Sequence, residues 1–136
     1  MKQSYRGAIA ALCLLTLCVA CSSSSESGSE TQIAIQQFYD SLGAGDYPAV
    51  LGMYTSDVRQ MLELPGGEVD ENYQDWAKGE TKDGKVDRIE IVEESVETDT
   101  AEVKYRVVYG DGSTAERSVK MTREEGQWKL GFIDNA

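Results

Sequence analysis

The sequence predicts an α+β domain, with helices first and an antiparallel four-stranded sheet after them. Three observations lead there. Apolar residues recur with helical spacing from Ile35 to Trp76, they alternate with period two from Val86 to Phe132, and tight-turn residues separate the alternating runs. The predicted domain, residues 30–136, is long enough to bury about two-thirds of its unfolded surface.

Ser29 and Gln32 have the spacing of a capping box ahead of the stripe Ile35, Phe38, Tyr39, Leu42, which marks one face of a first helix ended by Gly43 and Gly45. Asp46 caps a second helix that tolerates Pro48 in its first turn and buries Val50, Leu51 and Tyr54. Asp57 is positioned to cap a short third helix carrying Val58, Met61 and Leu62. Leu64-Pro65-Gly66-Gly67 then breaks the pattern. Asp70 to Lys78 reads as a fourth helix presenting Tyr73, Trp76 and Ala77 before Gly79.

Val86, Ile89, Ile91, Val92 and Val96 do not keep one parity, so the first strand is expected to carry a bulge near Val92 to Glu94. Ala101, Val103, Tyr105, Val107 and Tyr109 alternate cleanly on the second strand. Gly110-Asp111-Gly112 is read as a hairpin turn, because a calcium loop needs several more oxygen ligands at fixed offsets. Ala115, Val119 and Met121 mark the third strand, Glu125-Gly126 turns the chain, and Trp128, Leu130 and Phe132 line the fourth.

The N-terminal segment has a different character. Lys2 and Arg6 precede 13 residues, Ala8 to Ala20, that carry no charge. This is the form of a secretory signal, shorter than a spanning helix needs to be. Residues 1–20 are therefore expected to leave as a signal peptide. Residues 21–29 then form a polar tether, of which Ser22 to Ser29 reach roughly 15 Å as a flexible coil.

Charge and composition exclude several classes. The chain has 24 Asp and Glu against 13 Lys and Arg, a formal charge of −11. From Cys21 onward the count is 24 acidic and 11 basic, or −13, which repels phosphate backbones and excludes nucleic acid as a partner. The absence of His removes Ser–His–Asp triads, imidazole-based zinc sites and His acid/base chemistry. Glu90, Glu93, Glu94 and Glu97, followed by Lys104, Arg106, Arg117 and Lys120, read as cross-strand ion pairs on a solvated sheet face.

Leu17-Cys18-Val19-Ala20-Cys21 resembles the lipobox of bacterial lipoproteins, in which Cys21 would be acylated and become the mature N-terminus. Cys18 departs from the pattern, which prefers Leu at that place. The mature chain would hold Cys21 alone, and acylation removes an exposed thiol from an oxidising compartment. Acyl chains bind by about 0.8 kcal/mol per buried CH₂, so several on one residue anchor firmly. The resemblance implies an exported protein held to the cell envelope, at the outer membrane of a Gram-negative source because Ser22 rather than Asp follows the anchor.

The segment IQQFYDSLGAGDYPAVLGMYTSDV at residues 35–58 and GQWKLGF at 126–132 resemble the nuclear transport factor 2-like superfamily. More narrowly they resemble domain of unknown function 4878, a group of small bacterial lipoproteins. The matching features are Phe38, Tyr39, Gly45-Asp46-Tyr47, Tyr54, Tyr105 and Trp128-Lys129-Leu130. The resemblance implies a cone, a curved sheet wrapping the helices, with Phe38, Tyr39, Tyr54, Trp76, Tyr105 and Trp128 as candidate pocket residues. It brings no reaction with it.

Some relatives in the superfamily are isomerases or cyclases that use an Asp base and a Tyr in the cone. Asp40, Asp57 and Asp134 are the nearest carboxylates here, and none matches that motif. Hence no catalytic residue, cofactor or metal ligand is assigned. Three readings follow: a lipid-tethered module binding a small molecule or an envelope protein, an Asp/Tyr enzyme, or a structural protein forming homodimers through its sheet face. Val108, on the polar parity of its strand, points toward the last.

Overall fold

A computed structural model describes residues 28–136. The signal segment, Cys21 and the tether as far as residue 27 lie outside the described residues. Helices α1 (Glu30–Gly43), α2 (Tyr47–Met53), α3 (Ser56–Leu62) and α4 (Glu71–Thr81) precede strands β1 (Val86–Val96), β2 (Thr100–Tyr109), β3 (Thr114–Glu124) and β4 (Gln127–Asn135). The strands form one antiparallel meander in the order β1-β2-β3-β4, which is the predicted α+β arrangement. The helices pack on one face of a curved sheet. Ile35, Phe38, Tyr39 and Leu42 of α1 meet Val103, Tyr105 and Val107 of β2 there, all buried.

Local chemistry sets the helix ends. Ser29 accepts a hydrogen bond from the Gln32 amide, and Asp46 and Asp70 do the same for Ala49 and Tyr73. The capping box is only half formed. The Gln32 side chain donates instead to the Ile89 carbonyl at 2.9 Å, while Gln36 Oε1 accepts from the Ile89 amide at 3.0 Å. β1 is an edge strand, so these two glutamines satisfy backbone groups that its partner strand leaves free.

Helix α3 departs from expectation. Thr55 occupies the cap position, Asp57 falls in the first turn, and Glu124 of β3 accepts from the Ser56 hydroxyl at 2.6 Å. Met61 is exposed. Helix α4 continues through Gly79 to Thr81, because the stripe Tyr73, Trp76, Ala77 extends one more turn to Glu80. The chain then turns through Gly84 (φ +81°), where a Cβ would lie 2.9 Å from the Gly43 carbonyl oxygen. Only glycine lets the end of α1 come this close.

Two of the three register irregularities, those beyond Ile91 and Val119, re-aim side chains. The expected bulge in β1 lies between Ile91 and Glu93 and leaves Val92 exposed. Beyond it Glu94 pairs with Val103 and accepts a hydrogen bond from Thr31 of α1, so it faces the helices and not the solvated side. A second irregularity, between Val119 and Met121, shifts the register with β4. Phe132, expected in the core, is consequently half exposed, while Leu130 is fully buried. Gly131 is required at that point, since a Cβ there would lie 2.9 Å from the Lys120 carbonyl oxygen.

The outer sheet face carries the predicted ion pairs Lys104–Glu93 and Arg106–Glu90, and Lys120 pairs there with Glu102 of β2. Val108 is buried and adds no exposed apolar surface. Asp111 Oδ1 accepts from the Ser113 amide at 2.8 Å and closes the hairpin turn.

Candidate functional site

The inner face of β3 is set by Ala115, Val119 and Met121, and Arg117 shares their parity. The reading of Arg117 as part of the solvated charge ladder is therefore corrected: it points inward. Its register partner is Tyr105 on β2, and across the cone stands Glu80 on α4, 6 % exposed. Arg117 Nε donates to Glu80 Oε1 at 2.9 Å and Nη2 to Oε2 at 3.0 Å, a two-pronged ion pair. The carboxylate raises the guanidinium pKa first through these hydrogen bonds and then through its charge, against the opposing effect of burial.

Tyr39 of α1 extends the cluster. Its hydroxyl donates to Glu80 Oε1 at 2.7 Å and lies 2.9 Å from the Tyr105 hydroxyl. Because the single Tyr39 proton is directed at Glu80, Tyr105 must be the donor of the second bond. Tyr109 donates to the Glu80 carbonyl at 2.7 Å, and Tyr54 and Tyr73 share a 2.6 Å hydrogen bond nearby. Desolvation is the largest cause raising the phenol pKa values of Tyr39, Tyr54, Tyr73 and Tyr105 above the ordinary value. For Tyr39, the Tyr105 and Glu80 charges raise it further.

The six candidate pocket residues do not gather around one cavity. Phe38, Tyr39 and Tyr105 are at most 1 % exposed and Tyr54 is 5 % exposed, so these four fill the cone. Their rings meet edge to face, with Phe38–Tyr54 centroids 5.2 Å apart and Tyr39–Tyr105 centroids 5.9 Å apart. Trp128 lies on the opposite side, under the Arg123 guanidinium at 4.6 Å, and borders a groove between α1, α2 and the β3–β4 turn. Only Trp76, 37 % exposed, borders the space beside the ion pair.

That space is a cleft of about 480 Å³ at the rim of the cone, lined by Trp76, Glu80, Arg117, Ile133, Asp134 and Asn135. Asp40, Asp57 and Asp134 do not face the Tyr39–Tyr105 pair; the carboxylate that does is Glu80. Both Glu80 and Arg117 were legible. Glu80 is seven residues beyond Tyr73 on the α4 stripe, and Arg117 keeps the inner parity of β3. Reading Gly79 as a helix end and charge as a solvent marker concealed them.

Among the described residues no group of three or more Cys, Asp and Glu side chains is arranged to hold a metal ion. None of the described helices is long and apolar enough to cross a membrane. The architecture is an α+β cone, four helices packed against one face of a curved four-stranded antiparallel sheet. It is similar to the solution structure of a SEC-C motif-containing protein from Rhodopseudomonas palustris, with a TM-score of 0.54 and 11 % identity over 80 % of this chain and 82 % of that one. An NTF2-like protein from Campylobacter jejuni is similar at a TM-score of 0.47, with 17 % identity over 75 % of this chain and 97 % of that one. No curated protein matches the sequence. A family model described as domain of unknown function (DUF4878) matches residues 21–131, nearly the whole length beyond the expected signal, and the chain belongs to that family.

Proposed function

We propose that this chain is a lipoprotein of the bacterial cell envelope, anchored through Cys21, whose cone is a non-catalytic binding module. The observation that carries the reading is the state of the carboxylate that faces the Tyr39–Tyr105 pair in the cone. Glu80 is clasped by Arg117 and hydrogen-bonded by Tyr39, and both of its oxygens are engaged. A general base needs a free lone pair within reach of substrate. Here the neighbouring volume is filled by Phe38, Tyr54 and Tyr105, so a ligand is met at the rim. The short tether, residues 21–29, keeps the folded domain close to the membrane surface.

Native mass spectrometry of the full chain, released from membranes, tests the binding reading. A discrete retained mass, or a partner captured at the rim by crosslinking in intact cells, is the expected result. A chain that turns over an isomerase or cyclase substrate, with loss of turnover in Glu80→Gln, would overturn it.

A further inference from the structure

We infer that the rim cleft is a saccharide-binding site for a neutral, hydroxyl-rich ring stacked on Trp76. The inference rests on the binding-module reading and names the ligand class. Trp76 is the exposed end of an aromatic run. Its ring lies 5.2 Å from that of Tyr73, which in turn lies 6.1 Å from that of Tyr47. Tyr73 and Tyr47 are half-buried, so their partners hold the indole in place while 37 % of Trp76 stays open to solvent. A flat apolar face with a C–H-rich ring as partner is one half of sugar recognition.

Directional polar groups are the other half, and the opposite wall supplies them. Arg117 has five N–H donors. Three are engaged, by the two Glu80 oxygens and by the Glu116 carbonyl at 2.9 Å, which leaves two without a partner among the described residues. The ion pair fixes the plane of the guanidinium, so these donors are preorganised. Asn135, the register partner of Arg117, offers both donor and acceptor.

Charge selects among hydroxyl-rich ligands. Arg117 and Glu80 bring one positive and one negative charge to the cleft, on a domain that is itself strongly acidic. Phosphorylated, uronic or sialylated glycans are repelled. An ammonium ligand would have to approach a guanidinium whose nearest carboxylate is already occupied. A neutral ring, such as a hexose or an N-acetylated hexosamine, meets donors, acceptors and an aromatic face without a charge penalty. The cleft volume accommodates one or two rings rather than a long chain.

The test is a panel of immobilised neutral and acidic oligosaccharides probed with the full chain and with its Trp76→Ala and Asn135→Ala variants. Unchanged melting temperatures certify that both variants fold. The inference expects binding to neutral members, weakened ~10-fold or more by Trp76→Ala and by Asn135→Ala, with acidic members bound less well. Failure to bind any member, preference for acidic members, or binding that survives Trp76→Ala overturns it. The retained mass by native mass spectrometry separates the two levels of the account. A non-carbohydrate mass displaces the saccharide assignment and keeps the binding module, whereas no retained mass, no glycan binding and no crosslinked partner removes both.

Discussion

Arg117 on the third strand and Glu80 on the last helix meet across the mouth of the cone in a two-pronged ion pair, with Nε–Oε1 at 2.9 Å and Nη2–Oε2 at 3.0 Å. The pair ties the helical layer to the centre of the sheet and is enclosed on its inner side by Tyr39 and Tyr105. A buried ion pair of this kind is worth little against an apolar replacement, but leaving one partner behind is costly. The relationship therefore predicts a strongly asymmetric mutational response.

Arg117→Met strands the Glu80 carboxylate and should destabilise the fold by about 3–5 kcal/mol. Combining it with Glu80→Leu should recover most of that loss, because two apolar side chains replace the pair. Denaturant titrations of the two single variants and the double variant measure the coupling. Additive losses would contradict the contact.

Tyr39→Phe removes a hydroxyl that serves two partners and leaves Tyr105 without an acceptor, for an expected loss of about 1–3 kcal/mol. Tyr105→Phe removes one bond only and should lose about 0.5–1.5 kcal/mol. Equal losses would mean that the two hydroxyls do not form the chain Tyr105 to Tyr39 to Glu80.

The buried phenols also fix a pH response. Tyr39, Tyr54, Tyr73, Tyr105 and Tyr109 have folded-state pKa values raised above the ordinary 10.0, chiefly by desolvation. A group with a raised folded pKa contributes its full stability below its unfolded value, here pH 10.0. As the pH rises past 10.0, unfolded phenols lose protons that folded ones retain, so stability falls with increasing pH. The phenolate absorbance of these residues should appear together with loss of circular dichroism at alkaline pH. Reversible ionisation in a folded chain would place them near the surface.

Gln32 and Gln36 hold the carbonyl and amide of Ile89 on the free edge of β1. Replacing both with Ala should cost about 0.5–1.5 kcal/mol for each bond and expose a strand edge open to pairing. Sedimentation velocity should show greater self-association for the double variant than for the parent. An unchanged monomer fraction would mean that the edge is protected by something else.

Much of this architecture was readable from periodicity alone. The stripe of α1, the cap Asp46 and the alternation of β2 all follow from local spacing, which the structure keeps. The unreadable parts depend on the partner across the fold. Phe132 is turned outward by a register shift against β3, and Glu94 is turned inward by the β1 bulge. The site fell between these cases. Glu80 and Arg117 sat on buried parities, but a charge on a buried parity declares itself only when its opposite is found, and the two are 37 positions apart.

The closure of the cone by Glu80 and Arg117 is tested most directly by the guanidinium nitrogen spectrum of the full chain. The account predicts an Arg117 Nε–H signal that exchanges slowly with water at neutral pH, distinct from the arginines of the outer face, and that reverts to rapid exchange in Glu80→Leu. A signal that exchanges rapidly in the parent chain, or one that is unaltered by Glu80→Leu, would contradict it.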